Sequence, residues 1–349
     1  MARKSNFELL RIIAILIIIM HHYAQIGCNE LLVANVVSGQ RLFSQFLFMG
    51  GKVGVNLFVL ISGYFLCKQE FRLSKLVTLL IWIFTYSVVF MCVLAVFFDY
   101  RFGIFEIVQS LFPVTFNRYI FPSTYVLMYL FVPFINHFIN TVDKKMYQRF
   151  ILIGGIVFVV LPTLTAMDFM APDLVWFIYL YLLAAYIRIY EPLSKIKAKH
   201  WLLAGSGMYG LLFLSMVFMD FVGLYIPAVG VKASYFIGQN RLPAVLSAVL
   251  LFVGFSRLEM KTSKCINYIG GCAFGIFLFH TFPWDYNFLW IRLLKTTDYI
   301  GKTSFYLHAV LSILLVFGLG LLFESIRRFL YKKTLGKLVA RLDKKGIKE

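Results

Sequence analysis

The stretch 7–26 reads FELLRIIAILIIIMHHYAQI and places Arg11 and His22 in a mostly apolar run. They are eleven positions apart, about 20° past three full turns of an α-helix, so their side chains share one face. At about 1.5 Å per residue they lie about 16 Å apart along the helix axis. Ionisable groups within a membrane span are costly and usually face a protein interior or a wet cavity. The pair therefore indicates a membrane enzyme or a transporter.

The composition of the whole chain supports a membrane environment. Of its 349 residues, 61% are hydrophobic, 18% are aromatic and only 14% are charged, with a mean hydropathy of +0.83. Ordinary soluble domains are about 45–50% apolar. Most of this surface can be buried only in lipid, which predicts an all-α, polytopic membrane protein.

Charges and turn residues divide the apolar sequence into segments of membrane-spanning length, about 20 residues each. We expect about ten transmembrane helices, over residues 7–26, 44–66, 76–98, 124–141, 150–167, 174–190, 201–222, 235–255, 267–284 and 304–324. The apolar segment 104–122 is interrupted by Pro113, Asn117 and Arg118. It fits a re-entrant or interfacial segment better than a span.

The net charge of +18 is concentrated in alternate loops and at both termini. The positive-inside rule then places both termini in the cytoplasm. We interpret the basic excess as a topology signal and a contact for anionic lipid, and we expect no nucleic-acid partner. The residues on this side are Arg3, Lys4, Lys68, Arg72, Lys75, Lys144, Lys145, Arg149, Arg188, Lys195, Lys197, Lys199, Arg257, Lys261, Lys264, Arg327, Arg328, Lys332, Lys333, Lys337, Arg341, Lys344, Lys345 and Lys348.

No stretch of the sequence resembles a soluble domain or a linker between two halves. The sequence predicts one transmembrane domain over residues 1–326 and a basic cytoplasmic tail over residues 327–349. The scattered cysteines lack any C-x-x-C spacing and are interpreted as small packing residues, and we expect no metal site.

The first span carries the residues best suited to catalysis. Glu8 and Arg11 are three positions apart and can pair. His22 can act as a general base near neutral pH, removing a hydroxyl proton while the oxygen attacks an activated acyl carbon. The neighbouring His21 points about 100° away and is a weaker candidate. The alternative is that His22 simply sits at the outer membrane interface.

The second span combines small residues with one amide. Asn56 needs a hydrogen-bond partner at this depth, which could be Arg11, His22 or a ligand carbonyl. Arg72 and Lys75 follow at the cytoplasmic start of the third span, either as a topology signal or as a docking site for the phosphates of coenzyme A. The small residues, which we expect to allow close helix approach, are Gly50, Gly51, Gly54, Ser62 and Gly63.

Taken in order, these motifs resemble the acyltransferase-3 family of bacterial integral membrane acyltransferases. The family's first helix carries an Arg, ten residues and then a His, as in the run that ends at His22. Its other elements resemble 54–64, Arg72-x-x-Lys75, the run Cys272–His280, and the residues Tyr125, Tyr129 and Pro133. Three positions depart from the family pattern: Asn56 replaces an Asp, Lys75 replaces the second residue of the basic pair, and Phe277 replaces a Tyr.

The resemblance implies an enzyme that transfers an acyl group, most often acetyl, across the plasma membrane. The donor co-substrate is acyl-coenzyme A (acyl-CoA) in the cytoplasm, and no cofactor is permanently bound. The acceptor is a hydroxyl of a surface polysaccharide or of its lipid-linked precursor. Ten core helices are implied, in a stand-alone form without the soluble hydrolase-like domain of many members.

The same resemblance suggests roles for individual residues. His22 would be the general base, Arg11 would orient the donor thioester, and Arg72 with Lys75 would hold coenzyme A phosphates. A tunnel past Arg11 to His22 would admit the pantetheine arm of the donor. Residues that would contact substrate or support the site are Glu8, Asn56, Tyr125, Tyr129 and His280, the last either as an acceptor contact or as a stabiliser of the outer loop.

Two other classes of protein remain open from the sequence. Interrupted spans and intramembrane charges also mark transporters and flippases, although these usually show an internal repeat, and none is evident here. A non-catalytic partner of a glycan synthase fits the same fold, but Arg11 and His22 together disfavour it.

Overall fold

The computed structural model describes residues 4–34, 36–167, 173–281 and 284–345. Arg3, Lys348 and the side chains of Lys344 and Lys345, which contribute to the predicted charge bias, lie outside this description. Within the described ranges the regular structure is helical, without strands. The predicted all-α class is therefore confirmed.

Eight helical segments are long and apolar enough to cross a membrane, which confirms a polytopic membrane protein. Two of the predicted spans fall on shorter helices instead: 124–141 is divided between Ile120–Leu130 and Val132–Thr141, and 267–284 becomes Lys264–His280. The eight segments are Ser5–Gly27, Gly39–Leu66, Leu73–Phe97, Lys144–Thr165, Asp173–Tyr190, Ala198–Gly223, Pro227–Ser256 and Phe305–Lys333.

The main helices are numbered in chain order. They are α1 (Ser5–His22), α2 (Gly39–Phe48), α3 (Gly51–Leu66), α4 (Leu73–Phe97), α5 (Ile120–Leu130), α6 (Val132–Thr141), α7 (Lys144–Gly155), α8 (Asp173–Tyr190), α9 (Ala198–Gly223), α10 (Leu242–Ser256), α11 (Lys264–His280) and α12 (Phe305–Lys333). Shorter helices are Asn29–Val33, Ile104–Leu111, Leu161–Thr165, Pro227–Gly230, Gly336–Val339 and Leu342–Lys345. Single π or 3₁₀ turns are Tyr23–Gly27, Ile156–Val160, Tyr235–Ile237, Phe288–Leu293 and Thr296–Tyr299.

Side-chain caps fix where several of these helices begin. The Asp143 carboxylate accepts the backbone N–H groups of Lys145 and Met146 at 2.8 and 3.0 Å at the start of α7. The Ser263 hydroxyl accepts the N–H of Ile266 at 3.3 Å at the start of α11. Because such caps satisfy N–H groups that the helix itself leaves unpaired, they set the register of the helix that follows.

Helix α1 lies at the centre and packs against α3, α10, α11 and α12. Its contact with α3 depends on Gly54, where an added Cβ would come within 2.7 Å of the Ala14 carbonyl oxygen. At Gly63 an added Cβ would come within 2.7 Å of the Cα of Tyr181 in α8. The predicted close approach of helices at these small residues is confirmed at both positions.

A buried ion pair joins α2 to α9. Arg41 is 2% exposed and Asp220 is 3% exposed. Two guanidinium nitrogens of Arg41 donate to the carboxylate at 3.0 and 2.6 Å. The third nitrogen donates to the backbone carbonyls of Leu31 and Leu32 at 2.7 and 2.9 Å, and to that of Ala34. This arginine therefore holds the segment before α2 against the body of the protein.

A second buried carboxylate, Glu324, joins α12 to α4. It accepts hydrogen bonds from Trp82 Nε1 at 2.9 Å and from the Tyr86 hydroxyl at 3.0 Å. The guanidinium of Arg327 pairs with both carboxylate oxygens at 2.8 and 2.9 Å. A buried carboxylate is tolerated when it is paired and hydrogen-bonded in this way.

The apolar segment between α4 and α5 lies on the surface of the protein. Its short helix Ile104–Leu111 exposes Ile104 to 83% and Phe105 to 64%. Apolar side chains this exposed in a membrane protein suit contact with the lipid interface. The geometry is that of an interfacial segment rather than a re-entrant one buried in protein.

The C-terminal residues fold back onto the start of α4. Helix α12 continues to Lys333, past the predicted domain boundary at residue 326. The Asp343 carboxylate then accepts the backbone N–H of Ser74 at 3.0 Å and the Ser74 hydroxyl at 2.5 Å. These hydrogen bonds, from the hydroxyl first and the backbone second, lower the pKa of Asp343.

Candidate active site

The end of α1 that carries His22 is called the outer end, after the predicted topology. Here His22 Nδ1 lies 2.9 Å from Nε2 of His280, at the end of α11. His280 Nδ1 lies in turn 2.8 Å from the backbone carbonyl oxygen of Ile276. The two helices pack side by side because Gly270 in α11 leaves room for the backbone of Glu8 in α1.

This arrangement determines which imidazole nitrogens carry protons. A carbonyl oxygen can only accept, so His280 Nδ1 carries a proton and donates it to Ile276. In neutral His280 the Nε2 atom is then an acceptor, and His22 Nδ1 must donate to it. The remaining nitrogen of His22, Nε2, is left with its lone pair available. His22 is thereby prepared as a proton acceptor by its neighbour.

His22 faces a cavity of about 200 Å³ at the outer end of the helices. Polar groups line it together with the rings of Phe121, Phe177 and Phe277. The polar and charged residues of the lining are His21, His22, Gln25, Lys52, Arg118, Tyr119, Thr124, Asp173, Gln239, Thr281 and Tyr286. His280 does not line the cavity but lies behind His22, with its Nε2 2.9 Å from His22 Nδ1, so its role as an acceptor contact stays a prediction.

His21 also borders the cavity, although its ring is held elsewhere. Its Nδ1 donates to the Phe48 carbonyl oxygen at 2.6 Å, and its ring stacks on that of Phe48 with centroids 4.5 Å apart. Since one nitrogen is fixed by the backbone and the side chain is buried, His21 links the end of α1 to α2. This placement is consistent with the interpretation of His21 as a weaker candidate for a general base than His22.

Arg11 lies toward the opposite end of α1 and does not line this cavity. Its guanidinium donates to the buried Glu8 carboxylate at 2.6 Å, which confirms the predicted pair. The Arg11 side chain is 25% exposed, and its guanidinium carbon lies 5.9 Å from the centre of the Phe65 ring. Arg11 is therefore anchored but remains accessible at the predicted cytoplasmic end.

The predicted donor residues gather near Arg11. The charges of Arg11 and Arg72 both act on the Lys75 ammonium, which lies 5.2 Å from the centre of the Tyr129 ring. The Tyr129 hydroxyl accepts the backbone N–H of Arg72 at 3.1 Å and donates to its carbonyl oxygen at 3.2 Å. Tyr129 thus fixes the residue at which α4 begins, and with it the position of the basic pair.

A cluster of aromatic rings extends from Phe121 and Phe277, which line the cavity, to Tyr125, on which the charge of Arg11 acts. Phe121 and Phe277 pack with their centroids 4.9 Å apart, and Tyr125 packs against Phe274 at 6.2 Å. The Tyr125 hydroxyl interacts with Ser62 of α3. We call Phe121, Tyr125, Phe274 and Phe277 the aromatic plug. The tunnel from Arg11 to His22 stays a prediction, and these rings lie along its expected course.

Asn56 is completely buried and has other partners than those considered from the sequence. Its side-chain N–H donates to the Gln239 carbonyl oxygen at 2.8 Å, and its side-chain oxygen accepts from Trp176 Nε1 at 3.0 Å. It contacts neither Arg11 nor His22 through these bonds. An Asp in its place could not donate to the Gln239 carbonyl, which explains why an amide replaces the family's Asp.

Sequence reasoning missed several residues of the site. Lys52 and Gln239 border the cavity from α3 and from the turn before α10, but neither belongs to a motif. In the sequence, Glu324 was interpreted only as the last residue of the predicted span 304–324. An acid in an apolar run followed by Arg at three and four positions could have marked it as buried and paired. The described residues include no group of His, Cys, Asp or Glu that could hold a metal ion.

The fold is that of a polytopic membrane protein, and its candidate site places His22 beside a cavity at the outer end. A family model described as an acyltransferase domain matches residues 4–334, nearly the whole chain. The protein belongs to this family, acyltransferase-3, and is a membrane acyltransferase. No curated protein and no solved structure gives a significant match.

Proposed function

We propose that the protein is an O-acyltransferase of a surface glycan. It moves an acyl group, most often acetyl, from cytoplasmic acyl-CoA to a hydroxyl of a surface polysaccharide or of its lipid-linked precursor. The observation that carries this proposal is the hydrogen-bond chain from Ile276 through His280 to His22, which leaves Nε2 of His22 as a base. A base beside a polar cavity suits activation of a sugar hydroxyl.

The chemistry is a direct transfer. Nε2 of His22 takes the proton of the acceptor hydroxyl while its oxygen forms a bond to the thioester carbonyl carbon. The carbon–sulfur bond then breaks, and the leaving thiolate takes the proton back from the imidazolium. While His22 is charged, its Nδ1–H bond to neutral His280 stabilises the cation, because hydrogen bonds to charged groups are stronger than neutral ones.

The opposite end of α1 suits the donor. The guanidinium of Arg11 has five N–H groups, and the Glu8 pair leaves others for the amide oxygens of the pantetheine arm. Arg72 and Lys75 supply cations for coenzyme A phosphates. Because Arg11 and His22 are about 16 Å apart along the helix, the pantetheine arm must pass between them. In this scheme the aromatic plug moves aside when the donor binds.

The test uses membranes that contain the full chain, radiolabelled acetyl-CoA and glycan from cells that lack the gene. His22→Gln should lower label transfer by about 10²–10⁴-fold, the usual contribution of general base catalysis. His137→Gln, at an exposed position of α6, is the matched control and should transfer normally.

Label transfer by the His22→Gln variant at the wild-type rate would overturn the assignment of the base. Solute uptake without covalent label would instead support a carrier. Equal amounts of each variant in the membrane, measured by immunoblot, separate loss of chemistry from loss of insertion.

A further inference from the structure

Two cations border the cavity beside His22. Lys52 is exposed in the first turn of α3, and its charge acts on both His21 and His22. Arg118 enters from the loop before α5, with its guanidinium carbon 3.9 Å from the centre of the Trp284 ring. The indole face of Trp284 holds the Arg118 guanidinium beside the cavity.

Two buried polar groups in the same lining are unsatisfied. Within the described part of the chain, neither Nε2 of Gln239 nor the hydroxyl of Tyr119 has a hydrogen-bond partner. Both residues line the cavity. Gln239 is fixed in place because its backbone carbonyl accepts from Asn56. Buried donors are nearly always satisfied, so two of them facing one cavity indicate a ligand rich in acceptor atoms.

The lining has more cations than carboxylates. Asp173, at the start of α8, is the acidic residue among the lining residues that the structure describes, against Lys52 and Arg118. Together with the donors of Gln239 and Tyr119, this set matches a carboxylate or phosphate better than a neutral hydroxyl group. These cations lie at the end of α1 opposite Arg11, so they are distinct from the residues proposed for the donor phosphates.

The size of the cavity limits what enters it. At about 200 Å³ it is smaller than the roughly 300–1,000 Å³ of ordinary small-molecule sites. It suits a single sugar residue, with the rest of the glycan outside. An anionic group that reaches Lys52 and Arg118 must therefore lie on the acylated residue or directly beside it.

We propose that the acceptor is an anionic glycan, with a carboxylate or phosphate on or next to the sugar that receives the acyl group. The inference rests on the proposed function and adds the chemical class of its acceptor. The carboxylate of an acidic sugar and the phosphate of a lipid-linked or phosphorylated glycan are the two sources of this charge.

The experiment compares acceptors with and without their anionic groups. Surface glycan and lipid-linked glycan are prepared from cells that lack the gene. Each is used untreated, after reduction of its carboxylates with carbodiimide and borohydride, and after removal of its phosphates with hydrofluoric acid. We expect one of the two treatments to lower label transfer from acetyl-CoA at least tenfold, and the effective treatment identifies the anion. Full transfer after both treatments overturns the inference.

Variants connect the charge preference to the cavity. The quantity measured is the label transferred to untreated glycan divided by the label transferred to neutralised glycan. Lys52→Gln and Arg118→Gln should each lower this ratio about tenfold. Lys232→Gln removes an exposed lysine outside the lining and should leave the ratio unchanged. A ratio in the first two variants equal to that of the control overturns the proposed site.

Hydrolysis of acetyl-CoA without acceptor distinguishes the two proposals. Hydrolysis that depends on His22, without labelling of either glycan preparation, supports the donor chemistry and overturns the glycan acceptor. If the protein shows no hydrolysis of acetyl-CoA and no labelling of glycan, the proposed function is overturned, and the inference is overturned with it.

Discussion

The two ends of the face shared by Arg11 and His22 differ in how their polar groups are satisfied. At the inner end two of the polar groups are paired within the protein: Arg11 with Glu8, and Tyr129 with the backbone of Arg72. At the outer end His22 keeps one nitrogen open, and the donors of Gln239 and Tyr119 face the cavity without partners among the described residues. The outer end therefore presents unpaired polar atoms to a cavity, whereas the inner end holds its arginine and tyrosine through contacts within the protein.

After His22, the largest effect is expected at Arg11. Arg11→Met removes the cation that holds the donor arm and should lower label transfer about 10²-fold, because misplacing a reactant by about 1 Å can cost that much. It also leaves the buried Glu8 carboxylate without its guanidinium, which should lower the free energy of unfolding by about 1.5–3 kcal/mol. Adding Glu8→Gln should restore stability, measured by thermal unfolding in detergent, but not transfer. Recovery of both stability and label transfer in the double variant would show that the pair of Arg11 and Glu8 has only a structural role.

The next effect tests the hydrogen-bond chain at the outer end. His280→Phe removes the acceptor for His22 Nδ1 and should lower transfer about 10–100-fold, as expected for a lost hydrogen bond to a charged group. His280→Gln can place a side-chain oxygen near the position of Nε2 and should recover part of the loss. The rates of the two variants across pH provide the measurement. Equal rates in both variants would contradict a positioning role.

A smaller effect is expected at the inner end. Tyr129→Phe removes the hydroxyl that holds the backbone of Arg72, a contribution of about 1 kcal/mol. We expect the KM for acetyl-CoA to rise about fivefold with kcat nearly unchanged, because the basic pair is displaced while His22 is intact. A fall in kcat at constant KM would place Tyr129 in the chemical step instead.

The smallest effect concerns the folded-back tail. The pKa of Asp343 is lowered by its bonds to Ser74, so its contribution to docking is present above the unfolded pKa and is lost as pH falls through the folded pKa. Once each rate is corrected for intrinsic exchange at that pH, hydrogen exchange in residues 336–345 should therefore be strongly protected at neutral pH and unprotected in acid. In Asp343→Asn it should already be fast at neutral pH. Slow exchange in that variant would assign docking to other contacts.

Much of the fold could be predicted because hydropathy and charge are local signals. The first three predicted spans coincide closely with long helices of the structure. The fourth does not, because the chain breaks at Phe131, two residues before Pro133. Proline has no N–H to continue the hydrogen-bond ladder of the preceding helix.

Helical periodicity predicts which site residues share one face of a helix. It does not predict which residues tertiary packing brings together from distant parts of the chain. The spacing of Arg11 and His22 places both on one face, and Glu8 pairs with Arg11 as its spacing predicts. The partner of His22 lies 258 positions away, and only the resemblance drew attention to it. The position of Lys52 and Gln239 at the cavity could not be predicted from the sequence. No local pattern shows which residues from distant parts of the chain line the same cavity.

The ion pair of Arg41 and Asp220 has a consequence for biogenesis. Its members are 179 positions apart, so at about 5–20 residues per second roughly 10–35 s of translation separate their synthesis. During this interval the guanidinium has the nearby carbonyls of Leu31 and Leu32 as partners, because these are made before it. The pair that joins α2 to α9 can therefore form only after α9 has been made, so the N-terminal helices reach their final packing late in synthesis.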